Sequence, residues 1–384
     1  MTKTINSKTL LMALLAGLLA VLPGLASADW SALNMPPGVT PLSHQIYALH
    51  MKILWICVVI GMGVFGVMFW SIFHHRKSKG AQAAHFHENT TVEIIWTLIP
   101  MCILVFVAVP ATKTLINIYS TGNADLTIKA TGYQWKWQYD YLDQGLSFFS
   151  TLDAKSNAAD GLHSGIDPAS VDHYLRNVDH PMVVPVGKKI RLLTTGGDVI
   201  HSWWVPELGV KRDGIPGFIN EGWFEIDKPG TYRGQCAELC GRGHGYMPIV
   251  VVAESEADFK KWVADTKAAQ KAAALADNPN RTWTKDELMA KGAEVYSKNC
   301  AACHQANGQG IPGTVKALAG SPIATGDIDA HIDRVLNGKA GTVMQAWKDQ
   351  LSDTEIAAVV TYERNSFGNN TGDVVQPSAI KDYR

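Results

Sequence analysis

The chain has 384 residues, enough for two or three domains, and its 34 Lys+Arg against 35 Asp+Glu give a formal net charge of −1. With a sequence pI near 6.9, it lacks the positive excess by which nucleic acid is bound, so that partner is excluded. Of six cysteines, four fall in two close-spaced motifs. Cys57 and Cys102 lie inside apolar runs, where a free thiol packs as a small hydrophobe, and no pair is left over for a disulfide.

Residues 1–28 have the make-up of a signal peptide. Lys3 and Lys8 form a positive start, Leu10 to Leu22 an apolar core, and Ala26-Ser27-Ala28 a small-residue cleavage site. As a membrane anchor the core is too short, and Pro23 breaks it. The mature chain is expected to start at Asp29. Residues 29–124 then carry two apolar runs, Ile53 to Phe73 and Ile94 to Val109, the second extended by Val92 and Ala111. A bilayer core of about 30 Å is spanned by about 20 helical residues, so the pair predicts a transmembrane helix hairpin in contact with lipid. The basic stretch His74-His75-Arg76-Lys77-Ser78-Lys79 between them should stay cytoplasmic. Both termini then lie on the periplasmic side of a bacterial inner membrane. Glu93 follows Asn89-Thr90-Thr91 at the start of the second run, where Thr and Glu suit a helix N-terminus.

From Asp125 to Glu256 the pattern changes. Leu126-Thr-Ile-Lys-Ala-Thr, Met182-Val-Val-Pro-Val, Lys189-Ile-Arg-Leu-Leu-Thr and Ile249-Val-Val-Val are short strand-like runs between Gly, Pro and Asp turns. They predict an all-β sandwich or barrel, with residues 142–180 as an irregular polar insertion. Ser255, with Asp258 three residues on, opens a helix to about Ala276, and Asp277-Asn-Pro-Asn-Arg281 reads as a linker within residues 257–283. A second helical pattern runs from Thr284 to Lys298. Leu351-Ser-Asp-Thr-Glu-Ile-Ala-Ala-Val-Val-Thr-Tyr362 has a capping-box start and apolar residues at helical spacing, and is expected to pack on the helix of 284–298. Residues 284–369 therefore form an all-α domain, with 370–384 as a loosely ordered tail.

Two ligand constellations lie in these last domains. Cys236-Ala-Glu-Leu-Cys240, His244 and Met247 follow His201, which comes from a different strand-like run. A mononuclear blue-copper site needs one Cys, two His and a weak Met; the second thiolate suits a second copper bridged through both sulfurs. Tetrahedral zinc also takes two Cys and two His, but the thioether and the second motif favour copper. That second motif, Cys300-Ala-Ala-Cys303-His304, is the attachment signature of a c-type haem. Between residues 284 and 384 the methionines are Met289, on the helix before the motif, and Met344. This leaves Met344 as the second axial ligand, in keeping with a high-potential, electron-transferring haem. His331 competes for that place, yet an Asp/Ile/Arg helical pattern around it predicts an exposed residue.

The run His201-Ser-Trp-Trp-Val-Pro-Glu-Leu-Gly-Val-Lys-Arg-Asp-Gly-Ile-Pro-Gly217, with Gly234-Gln-Cys-Ala-Glu-Leu-Cys-Gly-Arg-Gly-His-Gly-Tyr-Met-Pro248, closely resembles subunit II of the cytochrome c oxidases. The resemblance extends from Ser43 to about Val252 and implies a cupredoxin fold with the binuclear copper centre CuA. It implies His201, Cys236, Cys240, His244 and Met247 as side-chain ligands. Glu238 would ligate through its backbone carbonyl, its carboxylate facing a magnesium ion shared with subunit I. Quinol-oxidizing relatives lack these cysteines, so a soluble or membrane-bound cytochrome c is implied as donor. Gln134-Trp135-Lys-Trp137 resembles the family's aromatic stretch, in which Trp135 would receive electrons; packing on a strand is the other reading of both tryptophans. Val92-Glu-Ile-Ile-Trp-Thr-Leu-Ile-Pro100 also resembles the family, and that resemblance implies a second role for Glu93, as the entrance to a proton pathway. Gly341-Thr-Val-Met-Gln-Ala-Trp347 resembles the Met loop of class I cytochromes c, with Gln345 where Pro is commoner. A subunit II with such a domain fused to it resembles the caa-type oxidases, with subunits I and III as partners.

The two apolar runs contain no histidine, so the chain cannot itself hold the histidine-rich haem–copper site that reduces oxygen. Electrons must pass to another subunit. Two other classes stay open: the corresponding subunit of a copper-containing nitric oxide reductase, and a membrane-tethered carrier or copper-delivery protein.

Overall fold

The computed structural model describes residues 33–82, 85, 87–160 and 164–384; the expected signal peptide lies outside them. The chain forms two compact units: residues 1–118 with 206–209, and residues 119–205 with 210–384.

The first unit is built on helices α1 (Pro41–His74) and α2 (Thr90–Ile118), both apolar and long enough to cross a membrane. At 1.5 Å per residue they measure about 51 and 43 Å. Their large side chains, Phe65, Trp70, Leu104 and Phe106 among them, face outward. A helix apolar all round belongs in lipid or a core, and among the described residues nothing covers these. Both exceed the apolar runs because polar caps extend them. Thr40 and Ser43 close a capping box at the start of α1, and Thr40 Oγ1 also donates to Leu208 O at 2.9 Å. Asn89 Oδ1 accepts from Val92 N at 3.1 Å at the start of α2. Gln45 accepts from Asn117 Nδ2 across the pair at 2.9 Å.

The second unit begins with a sandwich of two five-stranded sheets. In chain order the strands are β1 (Leu126–Tyr133), β2 (Lys136–Tyr141), β3 (Leu146–Ser150), β4 (Met182–Pro185), β5 (Lys189–Gly196), β6 (His201–Val205), β7 (Val210–Gly214), β8 (Asn220–Glu225), β9 (Gly230–Cys236) and β10 (Pro248–Glu254). One sheet runs β3-β2-β1-β5-β8, the other β4-β10-β9-β6-β7. Alternation sets the buried faces: Ile128 and Ala130 of β1, Trp137, Tyr139 and Tyr141 of β2, and Ile190 and Leu192 of β5 meet Met182, Val184, Trp203, Ile249 and Val251.

The 142–180 segment is more regular than expected. It contributes β3 and helix α3 (Ala154–Asp160), because Phe148 stacks on Tyr141 and meets Tyr139 and Trp262 edge-on. Asp179 then takes the Thr151 N–H at 2.7 Å and its hydroxyl at 2.8 Å. Helix α4 (Glu256–Ala276) is capped by Ser255, and only its first turns, through Phe259 and Val263, are buried.

The C-terminal part is helical: α5 (Lys285–Asn299), α6 (Ala301–His304), α7 (Ile328–Asn337), α8 (Asp353–Asn365) and α9 (Pro377–Lys381). Capping boxes Thr284/Glu287 and Ser352/Glu355 start α5 and α8. These two helices cross closely at Gly292, where a Cβ would stand 2.2 Å from Ala358 O. The expected packing of the C-terminal helix on the helix before the haem motif is thus present. Two expectations fail. His331 is 1% exposed, because its Nε2 meets Glu363 Oε2 at 2.9 Å inside the domain. The tail is also anchored: Val375 and Ile380 are buried, and Gln376 exchanges hydrogen bonds with the Trp283 backbone at 2.9 and 3.0 Å.

Candidate metal centres

His201 opens β6, Cys236 ends β9, and Cys240, His244 and Met247 lie on the turn that leads into β10. The antiparallel register sets Trp203 opposite Cys236, which carries His201 to the same end of the sheet. The sulfurs of Cys236 and Cys240 are 3.8 Å apart. On one side Cys236 Sγ has His201 Nδ1 at 4.0 Å and the Glu238 carbonyl at 3.3 Å. On the other Cys240 Sγ has His244 Nδ1 at 3.6 Å and Met247 Sδ at 3.5 Å. Each sulfur therefore has its own imidazole and its own weaker donor. The Glu238 carboxylate itself points to an exposed position.

Close packing holds these donors. Gly132 lies against the His201 ring, and a Cβ there would be 2.6 Å from Cγ. Trp137 meets the same ring edge-on at 5.9 Å and donates to Met247 O at 3.3 Å. Trp135 Nε1 and Gln134 Nε2 both donate to Cys240 O, at 3.1 and 2.9 Å. Gly243 leaves room for the Trp135 indole, 2.3 Å from where its Cβ would sit. Trp137 is thus a packing residue in the core, whereas Trp135 is half-buried and touches the ligand loop.

Sequence reasoning missed Asp198. Its Oδ1 lies 2.9 Å from His201 Nε2, and its other oxygen accepts from Gln134 N at 2.7 Å. A carboxylate on the far ring nitrogen sets the tautomer of a ligating histidine and makes it a better donor. The acid three residues before His201 was the available signal. Burial opposes protonation of His201, but the hydrogen bonds to Asp198 and Cys236 outweigh it and raise its pKa. The two thiols behave oppositely. The hydrogen bond from Cys240 holds Cys236 far below an ordinary thiol, whereas the negative Cys236 and burial push Cys240 far up. Without metal the pair thus keeps one proton, and a metal that takes both thiolates must displace it.

In the helical part, Cys300 ends α5 and Cys303 and His304 lie on α6. His304 Nδ1 meets Lys316 O at 3.1 Å, which leaves Nε2 as the nitrogen available to a metal. Cys300 and Met344 both pack against the apolar cluster of Leu288, Val295, Leu336, Trp347 and Ile356. The loop that carries Met344 is pinned back on α7: Lys339 N donates to Met344 O at 2.9 Å, and Trp347 N to Leu336 O at 3.1 Å. Gly338, with φ of 68°, permits this, since a Cβ would be 2.5 Å from Met344 O. Burial raises the pKa of both Cys300 and Cys303. They are thiols in apolar surroundings, which suits attachment of a haem rather than a thiolate metal site. His331, turned toward Glu363, is not placed as a competing ligand.

The donor sets thus fit the two groups read from the sequence, and the architecture is that of a membrane-anchored electron-transfer protein: two apolar helices, a cupredoxin-type sandwich and a small helical cytochrome domain. Residues 28–114 match the family described as cytochrome c oxidase subunit II, transmembrane domain, and residues 126–254 its periplasmic domain. Residues 270–362 match the family described as cytochrome c oxidase, cbb3-type, subunit III. The probable cytochrome c oxidase subunit 2 of Rickettsia prowazekii is 39% identical over 236 residues, covering 61% of this chain and 72% of that protein. The cytochrome c oxidase subunit 2 of Cereibacter sphaeroides is 36% identical over 241 residues, or 60% of this chain and 79% of that one. Among solved structures, the periplasmic domain of subunit II of cytochrome oxidase (CoxB) of Bradyrhizobium japonicum is 43% identical. It covers 39% of this chain and 98% of that chain, with a TM-score of 0.34. The chain belongs to the cytochrome c oxidase subunit II family and carries a cytochrome c domain at its C-terminus.

Proposed function

We propose that the chain is the electron-accepting subunit of a caa-type terminal oxidase, taking electrons from a cytochrome c and delivering them to an oxygen-reducing subunit I, with subunit III as a further partner. The observation that carries this is the division of donors around the Cys236/Cys240 sulfur pair. Tetrahedral zinc needs four ligands, whereas six are gathered here, three about each sulfur when the sulfurs are shared. His201, Cys236, the Glu238 carbonyl, Cys240, His244 and Met247 would hold two copper ions, and Cys300, Cys303, His304 and Met344 a haem c. Copper and haem would each supply a site that gains and loses one electron with little rearrangement. The protein's own part is to keep that rearrangement small: Asp198 fixes His201, Gly132 and Trp137 wedge its ring, and the Gly338 turn sets the Met344 loop. Trp135 would receive electrons for the copper site. The exposed Glu238 carboxylate would face a magnesium ion at the subunit I surface.

The same reading sets both domains on the periplasmic side, from the basic residues that follow α1. It gives Glu93, in the first turn of α2, the start of a proton path, since Asn89 supplies the side-chain cap there. Isolation of the intact complex from its native membrane tests the function. A many-helix haem protein should co-purify, and the preparation should consume oxygen with reduced cytochrome c; consumption of nitric oxide but not oxygen would favour the reductase reading instead. In the same preparation Glu93→Gln should slow turnover several-fold. Turnover unchanged across pH would leave Glu93 no proton role.

A further inference from the structure

The copper-site and haem-site loops are joined by hydrogen bonds, and each bond falls beside a ligand. Gln345, next to Met344, donates from Nε2 to Gln134 O at 3.1 Å. Arg242, two residues after Cys240, donates to the carbonyl of Ala302, between the haem cysteines, at 2.8 Å. Lys136 donates to Asn299, next to Cys300, at 3.0 Å. Its ammonium also lies 4.2 Å from the Phe149 ring centre and 4.9 Å from that of Trp347. Lys136 is 5% exposed, so this is a closed contact and not a rim.

Of these three, the bond from Gln345 completes a continuous path. Its acceptor, the Gln134 carbonyl, belongs to the peptide shared with Trp135. The side chains of Gln134 and Trp135 both end on the Cys240 carbonyl. From Met344 to Cys240 there are only covalent bonds and two hydrogen bonds.

We propose that Gln345 is a positioning residue for electron passage between the domains: its amide clamps the Met344 loop to the Gln134–Trp135 peptide, so that Trp135 serves the chain's own cytochrome domain. The proposal rests on the ligand assignments made above. The contact places Trp135 beneath that domain, and an external cytochrome c then delivers to the haem domain and not to Trp135.

The test uses the intact complex with the full chain, comparing Gln345→Leu and Gln345→Ala with the unaltered protein. The haem is reduced in a short pulse, and the haem and copper absorption bands are followed separately, with spectra and midpoint potentials of both recorded. A hydrogen bond of ordinary net worth shifts the closed population by about two- to tenfold, and the haem-to-copper step should slow by a like factor in both variants. Spectra and potentials should stay as in the unaltered protein. An unchanged rate in both variants overturns the proposal. So does a shifted haem spectrum or potential, which would make Gln345 a determinant of its own domain alone. Failure of the ligand assignments would show separately, as loss of the low-spin haem or copper–thiolate bands from the unaltered protein.

Discussion

Changing Cys240 to serine is expected to lower copper content from two ions per chain to one at most and to abolish electron passage to the partner subunit. Cys240 Sγ has Cys236 Sγ, His244 Nδ1 and Met247 Sδ within 3.8 Å, so it is the common neighbour of three other donors. Serine offers a hard oxygen that stays protonated, where copper is selected by soft sulfur. Even outer-shell partners of metal ligands are worth roughly 10- to 100-fold in affinity or activity, and a thiolate that would hold both coppers should be worth more. Metal analysis and electron paramagnetic resonance check the outcome. The unaltered oxidised chain should hold two coppers sharing one unpaired electron, and Cys240→Ser should not. One copper, or zinc, in the unaltered chain would contradict the binuclear assignment.

Met344→Ala should leave the copper site intact and stall electrons on its near side. The Met344 loop is held by Gly338 and by the Lys339 and Trp347 amides, so the backbone should survive loss of the side chain. Loss of a thioether ligand lowers a haem potential or opens its sixth position. For one-electron transfer, each fall of about 59 mV moves the equilibrium about tenfold against reduction of the haem by cytochrome c, so electrons are held back before they reach copper. Turnover with cytochrome c should fall by at least that factor, with the haem band shifted and copper content unchanged. If copper were reduced at the normal rate despite the shifted band, the haem would not be an obligatory donor.

What could be read from the sequence was what is local. Two apolar runs, each short run of the strand-rich middle and the two ligand motifs lie within a few tens of residues, and all have structural counterparts. The structure also brings His201 beside Cys236 although they come from different strands, because β6 pairs with β9. Residues whose partners lie far along the chain were misread or missed. Asp198 is the exception, missed although it stands three residues before His201, because it matters only once His201 turns its Nε2 toward it. His331 looked exposed among Asp and Arg until its helix met Glu363, thirty-two positions on. Phe148 of the polar insertion packs on Tyr139 and Tyr141 nearby, but also on Trp262, from a helix more than a hundred residues later. Lys136, in a stretch read for its tryptophans, is buried by Trp347 of the other domain. No periodicity encodes such pairings.

Electrons should move in a fixed order: from external cytochrome c to the haem domain, then to the copper site, then to subunit I. Rapid mixing of the oxidised, intact complex with reduced cytochrome c reads that order directly, because the haem and copper bands can be followed apart. The haem on Cys300 and Cys303 should be reduced first, at a rate that rises with donor concentration. Reduction of the copper site should follow at a rate independent of donor concentration, as expected when one domain serves its tethered neighbour. Copper reduced ahead of the haem, at a rate proportional to donor concentration, would contradict it and return Trp135 to direct contact with the external donor.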